Sequence, residues 1–115
     1  MTARAVREPD GTVVIDPLHV CRTPRERMRG LLGRESLADT EGAWFPTCRL
    51  IHTFGMNFAI DAVYLDERLE VCKIVEGLRP SRLSACLAAD SVIELKFGAA
   101  KALGLSRGTK LKVLE

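Results

Sequence analysis

Phe58-Ala-Ile-Asp-Ala-Val-Tyr-Leu-Asp-Glu-Arg-Leu-Glu-Val-Cys-Lys-Ile-Val75 is the stretch that decides the fold. Two runs rich in β-branched, aromatic and aliphatic residues flank Asp66-Glu67-Arg68, the pattern of an antiparallel hairpin. In the first run Phe58, Ile60, Ala62 and Tyr64 share one face, and Ala59, Asp61, Val63 and Leu65 share the other. Both faces are largely apolar, so this strand is expected to be covered on both sides and to carry Asp61 inside with it. An unpaired carboxylate in a core is costly. A guanidinium matches it best because its planar fork fits the two oxygens, and Arg27, Arg34 and Arg49 are the candidates.

Working outward, Ala3 to Arg7 and Thr12 to Ile15 flank Pro9-Asp10-Gly11, a hairpin turn. Leu18 to Arg22 reads as a further strand after Pro17. Ala43-Trp44-Phe45 and Cys48 to Phe54 add short strands. Gly77 to Pro80 breaks the chain after the hairpin. Ser91 to Phe97 alternates as a strand, and Thr109 to Leu114 closes the chain with Leu111 and Val113 facing inward. Thr23-Pro24-Arg25-Glu26 is a capping box, with Thr23 as N-cap and Pro24 at the first helical position. It predicts a helix over about 24–32 that buries Met28, Leu31 and Leu32 and ends at Gly33. Short helices are expected near 84–89 and 98–103. The fold class is therefore mainly β: a single domain over 1–115, built as an antiparallel β-sandwich or partly open barrel with these helices at its margins.

The 115 residues, 47% apolar and 28% charged, suit a folded domain and argue against intrinsic disorder. No apolar run approaches a membrane span, and the start of the chain does not read as a secretory leader. Charge is segregated. Residues 1–34 hold seven arginines against four acids, residues 35–70 two against seven, and residues 71–115 eight bases against four acids. The bases are dispersed and aromatics are few, which argues against a nucleic-acid module. Cysteines at 21, 48, 72 and 86 form no CxxC, so neither a thioredoxin-like motif nor a zinc ribbon is indicated. Free thiols in the cytoplasm are expected.

Two groups could carry chemistry. Cys48 and His52 are four residues apart, which on one strand separates them by ~13 Å; only a turn would let them converge on a metal, or pair as nucleophile and base. The other reading has His52 and Thr53 hydrogen-bonding locally while Phe54 and Met56 fill core. Glu94 lies on the more polar face of its strand. It reads as a solvated residue or as the partner of a helix arginine. Phosphate-loop, dinucleotide, nucleophile-elbow and zincin motifs are absent.

The order Thr23-x-x-Glu26-Arg27-x-Arg29-Gly30-Leu31-Leu32-Gly33-Arg34, then Gly42-Ala43-Trp44-Phe45, then Ile51-His52-Thr53-Phe54-Gly55-Met56-x-Phe58-x-Ile60-Asp61-x-Val63-x-Leu65-Asp66 resembles the DUF192 (UPF0127) family over about residues 18–114. Pro80, Val92-Ile93-Glu94-Leu95, Gly98 and Gly104-Leu105-x-x-Gly108 fit the same pattern. The resemblance implies a small β-rich domain with short helices and assigns no activity. Arg27, Gly30, Arg34, Asp61 and Glu94 are its polar or backbone-special positions. His52-Thr53 stands where many relatives carry Trp-Met, and Ala59 where a proline is common. The resulting expectation is a non-enzymatic accessory or binding module, monomeric and without a cofactor, that takes a small ligand or a protein partner. Its pocket would be walled by Trp44, His52, Thr53, Phe54 and Met56 and braced by Arg27 or Arg34 with Asp61 and Glu94. The alternative is a small enzyme or metal protein using Cys48 and His52.

Overall fold

The computed structural model describes residues 2–23 and 36–115. The helix expected over 24–32, with Arg27, Gly30 and Arg34, lies outside them. Along the chain the described elements are β1 (Thr2–Arg7), β2 (Val13–Val20), β3 (Gly42–Phe45), β4 (Leu50–His52), β5 (Ile60–Leu65), β6 (Val71–Leu78), β7 (Leu83–Ala85), β8 (Ser91–Lys96), α1 (Ala99–Ala102) and β9 (Leu111–Leu114). Seven strands form one sheet in the order β6-β5-β8-β3-β2-β1-β9, and β4 pairs with β7 in a separate two-stranded ribbon. The large sheet curls into an open half-barrel, the partly open member of the two expected architectures. Every pairing within it is antiparallel except β2 with β3.

Alternation along the strands produces two cores, one on each face of the sheet. Val63, Leu65, Ile93 and Leu95 pack with Ile15, Leu18, Ala99, Ala100 and Leu105 on the first face. Ala62, Tyr64 and Val92 pack with Phe45, Ile51, Met56 and Leu37 on the second. Because both faces are covered, every residue of β5 is buried, as are the first five of β8. The double-sided apolar reading of the hairpin's first strand is thereby explained.

Three local expectations need correction. Residues 84–89 are not helical: Leu83–Ala85 is β7, and Leu87 and Ala88 form a turn. The helix propensity of the alanines there gives way to pairing with β4, which extends to Cys86 N–H donating to the Arg49 carbonyl at 2.9 Å. Leu18 does not begin a new strand, since β2 runs through Pro17 by way of an irregularity opposite β1. This accommodates a residue with no N–H to give the ladder. Gly77 does not end the hairpin. It lies within β6 at φ +67, where the register slips by one residue against β5. The short helix near 98–103 is α1.

Candidate functional site

Asp61 is fully buried on the first face. Its partners among the described residues are backbone amides, and no described arginine is one of them. Oδ1 accepts Gly77 N–H at 3.0 Å, and Oδ2 accepts Gly98 N–H and Ala100 N–H, each at 3.0 Å. The bulge at Gly77 turns one of these amides inward, and the start of α1 presents the other two. A carboxylate only accepts hydrogen bonds, so three converging donors offset much of its lost hydration. Asp61 thus ties β5, β6 and α1 together as a structural knot. Arg49, a proposed partner, is exposed beside the ribbon, and its carbonyl accepts from Cys86.

Glu94 points to the opposite face. Its cross-strand neighbours are Ala43 on β3 and Ala62 on β5, two small residues that leave room for its side chain. It is 4% exposed and has no hydrogen-bond partner among the described residues. Burial alone pushes its carboxyl up to about 8. The expectation of a solvated residue fails because the second face is itself covered. His19 lies one strand further along the same row, opposite Ala43, and its Nε2 sits 2.7 Å from Glu41 Oε2.

The expected pocket does not assemble. Trp44 packs against the first core and sits opposite Ile93, whereas Met56 is buried in the second. Asp61 and Glu94 are on opposite faces of one sheet. Thr53 is fully buried but reaches well beyond its neighbours in sequence: its Oγ1 donates to the Arg79 carbonyl at 2.6 Å and accepts Arg82 N–H at 2.9 Å, pinning the loop before β7. Cys48 donates to the Leu50 carbonyl at 3.2 Å and lines a shallow cleft of about 460 Å³ with Thr47, Arg49, Leu50 and Asp90. His52 is not part of that cleft. Its ring lies 5.5 Å from that of Phe54, tilted by 30°. Among the described residues no group of three or more His, Cys, Asp or Glu is placed to hold a metal ion.

What the structure does assemble is the ribbon. Ile51 and Ser84 turn inward, Ser84 Oγ accepting the Tyr64 hydroxyl at 2.8 Å. Leu50, His52, Leu83 and Ala85 therefore turn outward. Six large apolar side chains are exposed among the described residues, and four belong to this layer: Leu50 at 60%, Phe54 at 49%, Leu83 at 64% and Leu87 at 86%. Residues 47–58 and 79–88, which build the layer, contain Arg49, Arg79 and Arg82 and not one Asp or Glu. The charged residues of these two segments are all cationic, while Asp66, Glu67 and Asp90 share clefts with Arg49. Sequence reasoning picked out His52 and Phe54 but missed Leu50, Leu83 and Leu87. The available signal was alternation in the two short runs Leu50-Ile51-His52 and Leu83-Ser84-Ala85.

The family model described as "Uncharacterized ACR, COG1430" (DUF192) matches residues 5–113. The chain belongs to the DUF192 family. No curated protein matches it. Two crystal structures share its fold. One, from Sinorhizobium meliloti 1021 and described as a "putative transcription regulator", superposes with a TM-score of 0.82 at 21% identity, over 97% of this chain and 92% of that one. The other is a protein of unknown function from Novosphingobium aromaticivorans DSM 12444, with a TM-score of 0.79 at 22% identity, over 97% of this chain and 84% of that one. At these identities the likeness of this DUF192 chain to both is one of fold. No helix among its described residues is long and apolar enough to cross a membrane.

Proposed function

We propose that this DUF192 protein is a non-enzymatic binding module. The outer face of the β4–β7 ribbon docks a partner polypeptide in which apolar side chains alternate with acidic ones. The observation that carries this reading is the clustering of Leu50, Phe54, Leu83 and Leu87 on one exposed layer. An apolar patch rimmed by charge is the usual form of a docking surface. The choice of an acidic partner follows from the exposed Arg79 and Arg82, which no carboxylate within residues 79–88 offsets. A protein segment suits the face better than a nucleic acid, because leucines make up three of its four large apolar side chains and leave only Phe54 and His52 as rings for stacking. The four cysteines carry no disulfide, which supports a reducing compartment such as the cytoplasm.

The test is an NMR titration of the labelled protein with a strand-forming peptide of alternating Leu and Glu, with an oligonucleotide run in parallel. Shifts confined to residues 49–54 and 82–87, and abolished by Leu83→Asp, are the expected result. Shifts scattered over the sheet overturn the reading. So does strongly salt-dependent binding of the oligonucleotide alone.

A further inference from the structure

Cys72 on β6 and Cys86, one residue past β7, bring their Sγ atoms within 4.0 Å. Both are half-buried. Their surroundings hold the two segments together at this point. The neighbouring Lys73 Nζ donates to the Ala85 carbonyl at 2.9 Å. Cys72 Sγ lies 3.5 Å from the Tyr64 carbonyl, and the Tyr64 hydroxyl reaches Ser84 on β7. A disulfide needs the sulfurs to close to about 2 Å, a distance that side-chain rotation can supply when the two segments already touch. β6 is an edge strand of the large sheet, while β4 and β7 form a separate ribbon. A bond here would staple the ribbon to the sheet.

We propose that Cys72 and Cys86 form a reversible disulfide by exchange with a small-molecule disulfide of the glutathione type, clamping the β4–β7 ribbon against β6. Cys86, in the turn beyond β7, meets the oxidant. Its thiolate attacks one sulfur of the small disulfide, forms a mixed disulfide and releases one small thiol. Cys72 then attacks the Cys86 sulfur, the protein disulfide forms, and the second small thiol leaves. The two protons lost by the protein thiols go to the two leaving thiolates. The protein is oxidised by two electrons and the small disulfide is reduced by two. Burial, followed by the neighbouring Cys86, pushes the Cys72 thiol up, which suits the resolving role. The modification stands without the docking reading. Only its consequence for partner binding, a stiffened ribbon with less freedom to adapt, rests on it.

The full-length protein is equilibrated with oxidised glutathione, alkylated and mapped by mass spectrometry. The expected product is a Cys72–Cys86 cross-linked peptide that dithiothreitol reverses. In Cys72→Ser, glutathione should instead remain attached to Cys86. Amide exchange of β4 and β7 should slow on the order of tenfold or more upon oxidation, since the bond adds a covalent closure between Cys72 and Cys86 to the hydrogen bonds already there. Wild-type protein that keeps glutathione on Cys86 without an internal bond overturns the proposal, as does cross-linking of Cys86 to Cys48. A bond that forms while exchange in β7 is unchanged overturns the clamp. None of these readings uses the partner peptide, so a failure of docking is seen separately in the titration.

Discussion

Asp61 and Glu94 sit on adjacent strands, one register step apart, and both are buried. Their situations are opposite. Asp61 lies where a bulge and a helix start turn three amides toward it. Glu94 lies between two alanines with burial as the cause of its shift, and its carboxyl is held to about 8. Among the described residues, one face of this sheet aims donors at its carboxyl group and the other aims none. Burial alone therefore does not say what a carboxylate does; the donors aimed at it matter as much.

The comparison breaks first at Asp61. Asp61→Ala leaves three inward amides without an acceptor and should cost about 4 kcal/mol in chemical denaturation, with retained stability disproving the knot. Asp61→Asn should cost less but still register, because an amide offers one acceptor oxygen where three donors converge on two. Glu94→Gln should move stability the other way. Between about pH 4.5 and 8 the native protein holds a proton at Glu94 that the unfolded chain gives up. Wild-type stability therefore falls as pH rises through that window and is level beyond it. Glu94→Gln should unfold like wild type near pH 4 and gain about 3 kcal/mol by pH 7, read from melting curves across pH. A gain that is the same at every pH would show that Glu94 is not protonated in the native state.

Gly77 sharpens the same contrast. At φ +67, and with a built Cβ 2.9 Å from the Phe97 ring, Gly77→Ala should cost about 2 kcal/mol. It should also loosen the amide that holds Asp61 Oδ1, visible as faster exchange at Gly77 but not beside Glu94. The smallest effect belongs to the ribbon. Leu83→Asp should change stability by no more than about 0.5 kcal/mol, because the side chain is already in water, while abolishing the peptide-induced shifts.

Much of the strand pattern was readable in advance because period-two alternation marks which residues a strand can bury. The faces of residues 58–65 and the strand over 91–97 follow from it, while Pro9-Asp10-Gly11 marked the N-terminal hairpin and Gly98 and Gly104 bounded the short helix. The partner of Asp61 was not readable in the same way. An arginine is visible in a sequence; a backbone amide is not, since nearly every residue carries one. Gly77 and Gly98, both at positive φ, were the trace these donors left. Glu94 was misread for a related reason. One strand's own pattern tells how polar its face is, but not whether another layer covers that face. The expected pocket failed on the same ground, combining residues whose strands turn them to opposite sides.

From sequence alone, the chain's β character, its family and the division of each strand into two faces are determined, because these depend on side chains spaced along a continuous backbone. Tertiary structure alone decided that three amides hold Asp61, that burial raises the Glu94 carboxyl, that Cys72 meets Cys86, and that the leucines of two short runs form one surface. Those outcomes depend on distances between segments far apart in the chain, set by how the sheet curls and where the ribbon lands on it.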